Sequence, residues 1–485
     1  MKVVFVFPDT SERAGKFYPG VASLSAYLKK AGHRVGLLHI TQPVSRDEYL
    51  RALDKESPEL VAFSSTTIMF PHVITFAKWT KEHMDVPTIC GGVHAILSPE
   101  EVIQVVDIDM VCLGEGEEAL TELCSKLESK AEITGIRNLW VKGGNGVLHK
   151  NPVAPLISNL DSLPFPDREI FDYGETFDMK VARRGIFMAS RGCPYRCTYC
   201  SNHALKQAYG GKGQYVRFRS VDNVIGEIKE VVRDYPQIEY VGFHDDILPM
   251  RKSWFEEFCT KYREKIGLPF EMNCIPNLLN RRIVEMAKLA GCRRINFGIE
   301  SGNDYIRRRI MNRPVTKEQI LQVSSLCHTE GIQISTYNMI GLPFENVRRF
   351  LDTVKLNAQV RPANMQLSIF YPFPGTELYE ICRKHDFLTK KATDSYFEDS
   401  ILRLKTITAS QIRFLHKRFN LLVRLYASSY KFPKIVSLVV DKSLDMVVLL
   451  ACWPLLLPIT RVLYGAMALA YRVAKGIRRR IQGAL

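Results

Sequence analysis

The sequence predicts an α/β protein in which two parallel-sheet units follow one another and a basic, helical region ends the chain. Short apolar runs alternate with helix-like segments through the first 150 residues. A similar alternation resumes near residue 184, after a stretch rich in proline and polar residues. The last 85 residues hold fifteen Lys and Arg, and their only acids are Asp441 and Asp445.

Residues 1–150 are predicted to form a doubly wound parallel sheet. Their strands are short and continuously apolar, as expected when helices cover both faces of a sheet. Turns of small residues, "SSTT", "GGVH" and "GEGE", follow the third, fourth and fifth strands. Open parallel sheets bind ligands beyond these carboxyl ends. The predicted strands lie at 2–7, 34–40, 60–65, 88–90 and 110–114, and the first helix at 20–32.

Residues 151–183 are predicted to be an extended linker, because proline and polar residues dominate their first part. Residues 184–390 then contain six βα-type units, which predict a partial (β/α)6 barrel with its active site at the C-terminal ends of the strands. The predicted strands lie at 186–190, 240–244, 270–274, 294–299, 333–339 and 364–370. The predicted helices lie at 221–234, 253–266, 280–290, 316–330 and 346–358.

Three cysteines cluster in "CPYRCTYC", residues 193–200, directly after the first barrel strand. The other nine of the twelve cysteines are scattered singly, which does not suggest a secreted disulfide framework and fits a cytoplasmic protein. Three thiolates could hold a [4Fe–4S] cluster with one iron left open for a ligand. A zinc site with His203 as fourth ligand is the alternative, which the spacing favours less.

The loop resembles the CxxxCxxC motif of radical S-adenosylmethionine (SAM) enzymes, including the aromatic residue before the last cysteine. Further segments in the same order resemble the subgroup with an N-terminal cobalamin-binding domain, the class B radical SAM methyltransferases among them. The resemblance covers about residues 1–390. The segments are "FHDDILP" (243–249), "AGCRRINFGIESGNDYIRRRIMNR" (290–313), "MIGLPFE" (339–345) and "FYPFPGTELYE" (370–380).

This resemblance implies the ligands of the cluster and the contacts to SAM. Cys193, Cys197 and Cys200 would hold a [4Fe–4S] cluster whose open iron chelates SAM and cleaves it to a 5′-deoxyadenosyl radical. The implied SAM contacts are Tyr199, Asp245, Asp246, Glu300 and Ser301. Packing of the loop is the alternative role for Tyr199, and helix capping is the alternative for the acidic residues.

The resemblance also implies cobalamin in the first domain. Glycines in its turns would let the backbone approach the corrin ring or its nucleotide tail. The implied contacts are Ser65, Thr66, Gly91, Gly92, His94, Gly114 and Gly116. The DxHxxG motif, whose histidine ligates cobalt in some cobalamin enzymes, is absent from the sequence. For His94 alone, a hydrogen bond that stabilises the turn is the expected role.

Residues 391–485 are predicted to be helical and to associate with a membrane. The uncharged run 446–459 has 14 residues, fewer than the about 20 that a spanning helix needs. Residues 461–481 place a basic stripe opposite an apolar face, which suits a helix lying in the lipid interface. A spanning or re-entrant segment and a helix buried on the barrel are the alternatives. A basic tail on a nearly neutral body favours an anionic membrane over nucleic acid.

The expected function is a cytoplasmic radical SAM enzyme attached peripherally to the inner face of a membrane. The expected reaction is methyl transfer from methylcobalamin to an unactivated carbon of a lipid, isoprenoid or tetrapyrrole. The family resemblance implies a reduced flavodoxin or ferredoxin as electron donor. Cyclisation, ring rearrangement or C–C bond formation without methyl transfer is one alternative. A non-catalytic cobalamin-binding or membrane scaffold protein is the other.

Overall fold

The computed structural model describes residues 1–9, 14–144, 146–389, 393 and 395–453. The predicted amphipathic helix at 461–481 and the second half of the uncharged run lie outside these residues. Within the described ranges, no helix is both long enough and apolar enough to cross a membrane.

The first sheet has seven strands in the order β2-β1-β3-β4-β5-β6-β7. The first five are parallel, which confirms the parallel sheet. The last two form an antiparallel hairpin at the edge that the sequence did not reveal. The strands are β1 (Lys2–Pro8), β2 (Arg34–Ile40), β3 (Leu60–Ser64), β4 (Thr88–Gly91), β5 (Met110–Cys112), β6 (Leu139–Lys142) and β7 (Leu148–Lys150).

Helices cover both faces of this sheet because successive strand residues point to opposite sides. In β1, Val3 and Phe5 pack into a core with residues of α1 and α6, whereas Val4 and Val6 pack into a second core with residues of α2 and α3. The helices are α1 (Pro19–Lys30), α2 (Arg46–Glu56), α3 (Phe70–His83), α4 (Val93–Leu97), α5 (Pro99–Gln104) and α6 (Gly116–Glu128).

The segment predicted to be an extended linker is folded over part of its length. It contains 3₁₀ turns at 160–162, 169–171 and 173–175, followed by helix α7 (Phe177–Ala182). Phe171 and Tyr173 are buried in a core that contains residues of both sheets, and the Tyr173 hydroxyl accepts a hydrogen bond from the Ile186 amide at 2.7 Å. Its aromatic residues therefore fix the segment between the two sheets.

The second sheet has six parallel strands in the order β15-β14-β13-β12-β11-β8. It forms the predicted partial barrel, with helices following the strands. The strands are β8 (Arg184–Phe187), β11 (Tyr240–Phe243), β12 (Phe270–Cys274), β13 (Cys292–Glu300), β14 (Gln333–Ile340) and β15 (Asn364–Ile369). The helices are α9 (Val221–Asp234), α10 (Lys252–Lys265), α11 (Arg281–Leu289), α12 (Lys317–Thr329), α13 (Val347–Val360) and α14 (Glu377–Lys384).

A small antiparallel ribbon flanks the cysteine loop. It pairs β9 (Ser190–Arg191) with β10 (Arg217–Phe218), and helix α8 (Ser201–Ala208) lies between them in the chain. The three cysteines thus occupy the loop between β9 and α8, at the C-terminal side of the first barrel strand. Two long helices, α15 (Ala409–Ser429) and α16 (Lys434–Ala451), pack beside α13 and complete the described part of the C-terminal region.

The loop after β14 is closed by a buried carboxylate. Glu345 accepts a hydrogen bond from the Gly341 amide at 2.7 Å, and its other carboxylate oxygen has no hydrogen-bond partner among the described residues. Burial raises the pKa of Glu345 to about 8, although the amides of Gly341 and Leu342 favour the charged form. Between about pH 4.5 and pH 8, the folded protein therefore keeps a proton on Glu345 that the unfolded chain releases.

Because the pKa of Glu345 is higher in the folded state, this group lowers stability as pH rises from about 4.5 to 8. Glu345→Gln keeps an oxygen acceptor for Gly341 and removes the titration. We expect its thermal midpoint to depend less on pH over this interval and to exceed that of the wild type at the alkaline end. The control is Glu264→Gln, at an exposed position of α10. A midpoint that falls in parallel with the wild type would contradict this account.

Candidate active site

A cavity of about 230 Å³ lies at the C-terminal ends of the second sheet, where the cysteine loop covers it. All three cysteines border it, and none forms a disulfide. Residues after β11 and at the end of β13 complete the walls, as expected for a barrel that binds its ligands at this end. The lining includes Cys193, Tyr195, Cys197, Tyr199, Cys200, Asn202, His244, Asp245, Asp246, Asn273, Asn296, Glu300, Arg313 and Tyr337.

The loop takes its shape from one glycine and from hydrogen bonds to its neighbours. Gly192 has φ +90°, and a Cβ there would lie 2.4 Å from the Tyr215 carbonyl oxygen, so only glycine fits. Thr198 donates from its amide to Met311 at 3.1 Å and from its hydroxyl to Ile310 at 2.7 Å. The loop is therefore held in place by protein contacts alone.

The three thiols are suited to binding a metal cluster. Burial raises the pKa of Cys193 to about 12 and that of Cys200 to about 11, so the thiols stay protonated until metal displaces the protons. Cys274 borders the same cavity but belongs to the core with Phe270 and Met272, so strand alternation directs its thiol behind the sheet. Three thiols, and not four, are available to the cavity.

Tyr199 and Glu300 meet in the cavity, together with an arginine that the sequence did not single out. The Tyr199 hydroxyl donates to Glu300 at 3.3 Å, and Arg313 donates to the Tyr199 oxygen at 3.3 Å and to the Gly298 carbonyl at 2.8 Å. Burial raises the pKa of Glu300, against the charge of Arg313. Glu300 has φ +61°, a strained conformation for a residue with a side chain and one that is concentrated at functional sites.

Among the other predicted SAM contacts, only Asp246 has a carboxylate open to the site. It is exposed and accepts from the Asn202 amide at 2.9 Å. Asp245 is fully buried and accepts from the Ala189 amide at 3.0 Å and from the Ser190 hydroxyl, so it supports the base of the cysteine loop. Ser301 is buried outside the cavity, where its hydroxyl accepts from the Asn303 amide at 3.3 Å.

The residues predicted to contact cobalamin gather at the carboxyl edge of the first sheet. Ser65 accepts from the His94 amide at 3.2 Å and donates from its own amide to Gly91 at 3.1 Å. The buried Thr66 hydroxyl has no hydrogen-bond partner in the part of the chain that the structure describes, so a polar ligand group could satisfy it. This edge therefore fits a ligand rich in amides, such as cobalamin.

The glycines at this edge serve close packing within the chain. A Cβ on Gly92 would lie 2.7 Å from the Ser65 carbonyl oxygen, and one on Gly114 would lie 2.5 Å from the Asn138 side chain. Gly116, in contrast, begins α6, where an added Cβ would lie 3.1 Å from the Leu24 side chain. The structure therefore gives Gly92 and Gly114 an internal packing role, and their predicted approach to a corrin stays a prediction.

His94 lies in α4 against Phe70, with ring centroids 4.3 Å apart, and its Nδ1 is 3.3 Å from the Thr67 hydroxyl. Burial lowers the pKa of His94 to about 4, so the ring is neutral. This geometry fits the expected hydrogen bond within the turn.

A charged cluster joins the cobalamin-side turn to the cysteine loop, and we call its residues Glu115, Glu117, Arg191 and Arg217 the carboxylate–arginine clamp. Arg191 donates to Glu115 at 2.8 Å and to Glu117 at 2.6 Å. Arg217 donates through both terminal nitrogens to Glu115, each at 2.9 Å. Because Arg191 and Arg217 are paired on β9 and β10, the clamp holds the ribbon that flanks the loop.

Two protein-family models match different parts of this chain. Residues 17–124 match the B12 binding domain, and residues 188–356 match the Radical SAM superfamily. The chain is a radical SAM enzyme with a B12-binding domain. Its cofactors are a [4Fe–4S] cluster, SAM and cobalamin.

Relatives of this radical SAM enzyme match along most of its length. It is 27% identical to an uncharacterized methyltransferase of Pyrococcus horikoshii, over 90% of this chain and 94% of the relative. It is 23% identical to an anaerobic magnesium-protoporphyrin IX monomethyl ester cyclase of Rubrivivax gelatinosus, over 78% and 70%. It is 24% identical to a hopanoid C-3 methylase of Methylococcus capsulatus, over 74% and 67%.

The fold also matches a solved cobalamin-dependent radical SAM methyltransferase, TsrM from Kitasatospora setae with cobalamin and a [4Fe–4S] cluster bound. The TM-score is 0.65 at 17% sequence identity, over 86% of this chain and 81% of that one.

The zinc alternative is not supported in this radical SAM enzyme. Among the described residues, no three His, Cys, Asp or Glu side chains are placed to hold one metal ion. His203, the proposed fourth ligand, instead pairs with Glu377 at 2.8 Å. A [4Fe–4S] cluster places its thiolates on different irons, so the three cysteines need not converge on one point.

The position of the thiols gives a matched pair of variants. We expect Cys200→Ala to lose the iron and sulfide that anaerobic reconstitution adds, because three thiolates are the minimum for a cluster with one open iron. Cys274→Ala, which changes a cysteine at the same cavity, should retain both. Iron and sulfide analysis with the absorbance near 400 nm measures the outcome. Equal loss in the two variants would mean that Cys274 is a ligand.

The clamp predicts energetic coupling between the two domains. Removing one partner of a buried ion pair costs about 3 kcal/mol, because the other charge stays buried. We therefore expect Glu117→Gln and Arg191→Gln each to destabilise the enzyme, and the double variant to cost at least about 1 kcal/mol less than their sum. Urea denaturation measures this, with Arg263→Gln as an exposed control. Strictly additive effects would contradict the coupling.

Proposed function

We propose that this enzyme transfers a methyl group to an unactivated carbon of a lipid, isoprenoid or tetrapyrrole. The observation that carries the proposal is the contact between the two cofactor regions. Helix α4, which follows Gly92, packs against α8, which follows Cys200. The clamp ties the same two regions together. A substrate bound between them would therefore lie near both cofactors.

Each group of residues has a distinct role in this proposal. Cys193, Cys197 and Cys200 would hold the cluster, and Asp246 and Glu300 present carboxylates to SAM. Arg313 donates hydrogen bonds to the Tyr199 hydroxyl and to the Gly298 carbonyl, and Tyr199 in turn donates to Glu300, so Arg313 positions that wall of the site. When bound, the cluster supplies the electron that cleaves SAM to the 5′-deoxyadenosyl radical, and cobalamin supplies the methyl group. The covering loop and the adjoining domain keep water from the reacting carbon.

Charged residues line the N-terminal end of the barrel interior, opposite the cysteine loop. A second cavity of about 510 Å³ shares Asn296 and Tyr337 with the first. Arg184, Glu271 and Arg294 line it, and Arg294 lies 3.4 Å from Glu271. These charges are paired with one another at the end of the barrel away from the cysteine loop, so they do not distinguish among the proposed substrates.

Cyclisation without methyl transfer is the second candidate. One relative is named as an anaerobic magnesium-protoporphyrin IX monomethyl ester cyclase, and it matches 78% of this chain. Two others are named as a methyltransferase and a methylase. The three cavity thiols and the match to the radical SAM model argue against a non-catalytic scaffold.

We further propose that the enzyme is attached peripherally to an anionic membrane through its C-terminal region. The supporting observation is the excess of thirteen positive charges in the last 85 residues. A reduced flavodoxin or ferredoxin is the proposed electron donor, by resemblance to the family.

Isotopic labelling separates the two reactions. The enzyme, reconstituted with cluster and cobalamin, is given deuterated-methyl SAM and a lipid and pigment extract under anaerobic conditions. Methyl transfer predicts a labelled product, with S-adenosylhomocysteine and 5′-deoxyadenosine formed in equal amounts, since one SAM makes the radical and one restores the methyl group. Mass spectrometry measures all three. 5′-Deoxyadenosine together with an unlabelled product would favour cyclisation. The Cys200→Ala variant should form neither 5′-deoxyadenosine nor any product.

A further inference from the structure

A groove with basic and apolar walls lies between α13 and α16, far along the chain from the cluster loop. Its volume is about 730 Å³. We call it the α13–α16 groove, and its walls include Arg348, Arg349, Lys355, Lys442, Met446, Leu449, Leu450 and Trp453. Nothing in the proposed chemistry uses this surface.

Helix α16 directs its acidic residues inward. Asp445 accepts from the Tyr426 hydroxyl and from the Lys355 ammonium, each at 2.6 Å, and Asp441 accepts from the Ser429 hydroxyl. A helix on the surface of a protein in water normally shows the opposite arrangement, with charged residues outside and apolar residues inside. The orientation of α16 is therefore suited to an apolar environment on its outer side.

The outer side of α16 is mainly apolar, and the exposed Lys442 and Ser443 interrupt it between Val439 and Met446. Ile435 is 79% exposed, Val439 59% and Met446 64%, and these positions follow the helical repeat along one stripe. Exposed apolar patches of this extent mark interaction or membrane sites. The other exposed apolar residues of this face are Val436, Leu438, Val447, Leu450 and Trp453.

Cations without acidic partners border this face. Arg348 and Lys442 are exposed, and the structure gives neither of them a carboxylate within ion-pair distance among the described residues. The two acids of the groove are already engaged, Asp445 by Lys355 and Asp352 by the Asn303 amide at 2.7 Å. The groove therefore offers uncompensated positive charge directly beside apolar surface.

We propose that the α13–α16 groove and the outer face of α16 dock onto a membrane that contains anionic phospholipid. Arg348 and Lys442 pair with lipid phosphates, while Met446, Leu450 and Trp453 enter the acyl boundary. A tryptophan at this border is typical of membrane interfaces, since its ring is apolar and its N–H polar. The chain that continues after Trp453 is again apolar and then basic in sequence, so the docking surface leads directly into it.

This inference rests on the proposed membrane attachment and names the lipid class and the residues that make contact. Charge complementarity favours lipid over a second copy of the chain, because two copies of this face would bring like charges together. The inference does not depend on methyl transfer. A negative result in the labelling experiment would therefore leave the membrane proposal intact, and a negative result in the membrane experiment would leave methyl transfer intact.

Vesicle flotation of the full chain, with cluster reconstituted, tests the proposal. We expect binding to vesicles of phosphatidylcholine with phosphatidylglycerol, and weaker binding to pure phosphatidylcholine or at raised salt. The double variants Arg348→Gln with Lys442→Gln, and Met446→Ser with Leu450→Ser, should each weaken binding about thirtyfold, since each removes two interfacial contacts that contribute about fivefold each.

Two matched controls make the test specific. Lys229→Gln with Arg263→Gln removes two exposed cations from other helices, and Val106→Ser with Leu289→Ser removes two exposed apolar side chains, 80% and 66% exposed, from other surfaces. Both controls should bind like the wild type. Iron content should be unchanged in all four variants, because α16 lies outside the cluster site.

Three results would overturn the proposal. No binding of the wild type to anionic vesicles would overturn both the docking surface and membrane attachment. Undiminished binding of both double variants of the groove would overturn the docking surface alone. Membrane attachment would then be assigned to residues 454–485. A wild-type dimer that the Met446 and Leu450 variant converts to a monomer, with lipid binding unchanged, would mean that a second copy covers this face.

Discussion

The buried pairing of Glu115 and Glu117 with Arg191 and Arg217 is the constraint on which the arrangement of the active site depends. Arg191 lies two residues before Cys193, and its partner across the ribbon, Arg217, shares the same carboxylate. Buried ion pairs contribute little net stability but penalise every arrangement that separates the partners. The clamp therefore specifies how the cluster loop faces the first domain.

Hydrogen bonds from two further parts of the barrel also hold the cysteine loop and the wall opposite it. Asp245 holds the base of the cysteine loop from the second barrel strand, and Thr198 ties the loop to residues 310–311. On the opposite wall, Arg313 donates to Tyr199 and to the Gly298 carbonyl, and Tyr199 donates to Glu300. These supports leave the three thiols, Asp246 and Glu300 lining the cavity.

Local patterns in the sequence predicted the two sheets and the cysteine loop, because both depend on neighbouring residues. Strand and helix periods repeat within a few residues, and the cysteine spacing is contained in eight. The clamp could not be predicted in this way, because its partners lie 74 to 102 residues apart in the sequence. The residues around each partner also look like those around any exposed charged residue. The same holds for Arg313 and for the inverted faces of α16.

Within a motif, the path of the backbone determines which of the predicted side chains line the cavity. Asp245 and Asp246 are adjacent, yet one is buried against Ala189 and Ser190 and the other faces outward. Glu300 lines the cavity and Ser301 does not, because the chain turns at the positive φ of Glu300. Resemblance placed all of these residues in the same segments, whereas the fold distinguishes the side chains that line the cavity from those that support it.

The central claim is that one chain holds the cluster and cobalamin close together at the interface that the clamp defines. EPR of the enzyme loaded with both cofactors tests it most directly, by comparing cob(II)alamin with the cluster oxidised and reduced. We expect the cob(II)alamin signal to broaden or split when the cluster is reduced, and this effect to weaken in Arg191→Gln. A cob(II)alamin spectrum that is identical in both states, in samples that contain both cofactors, would contradict the claim.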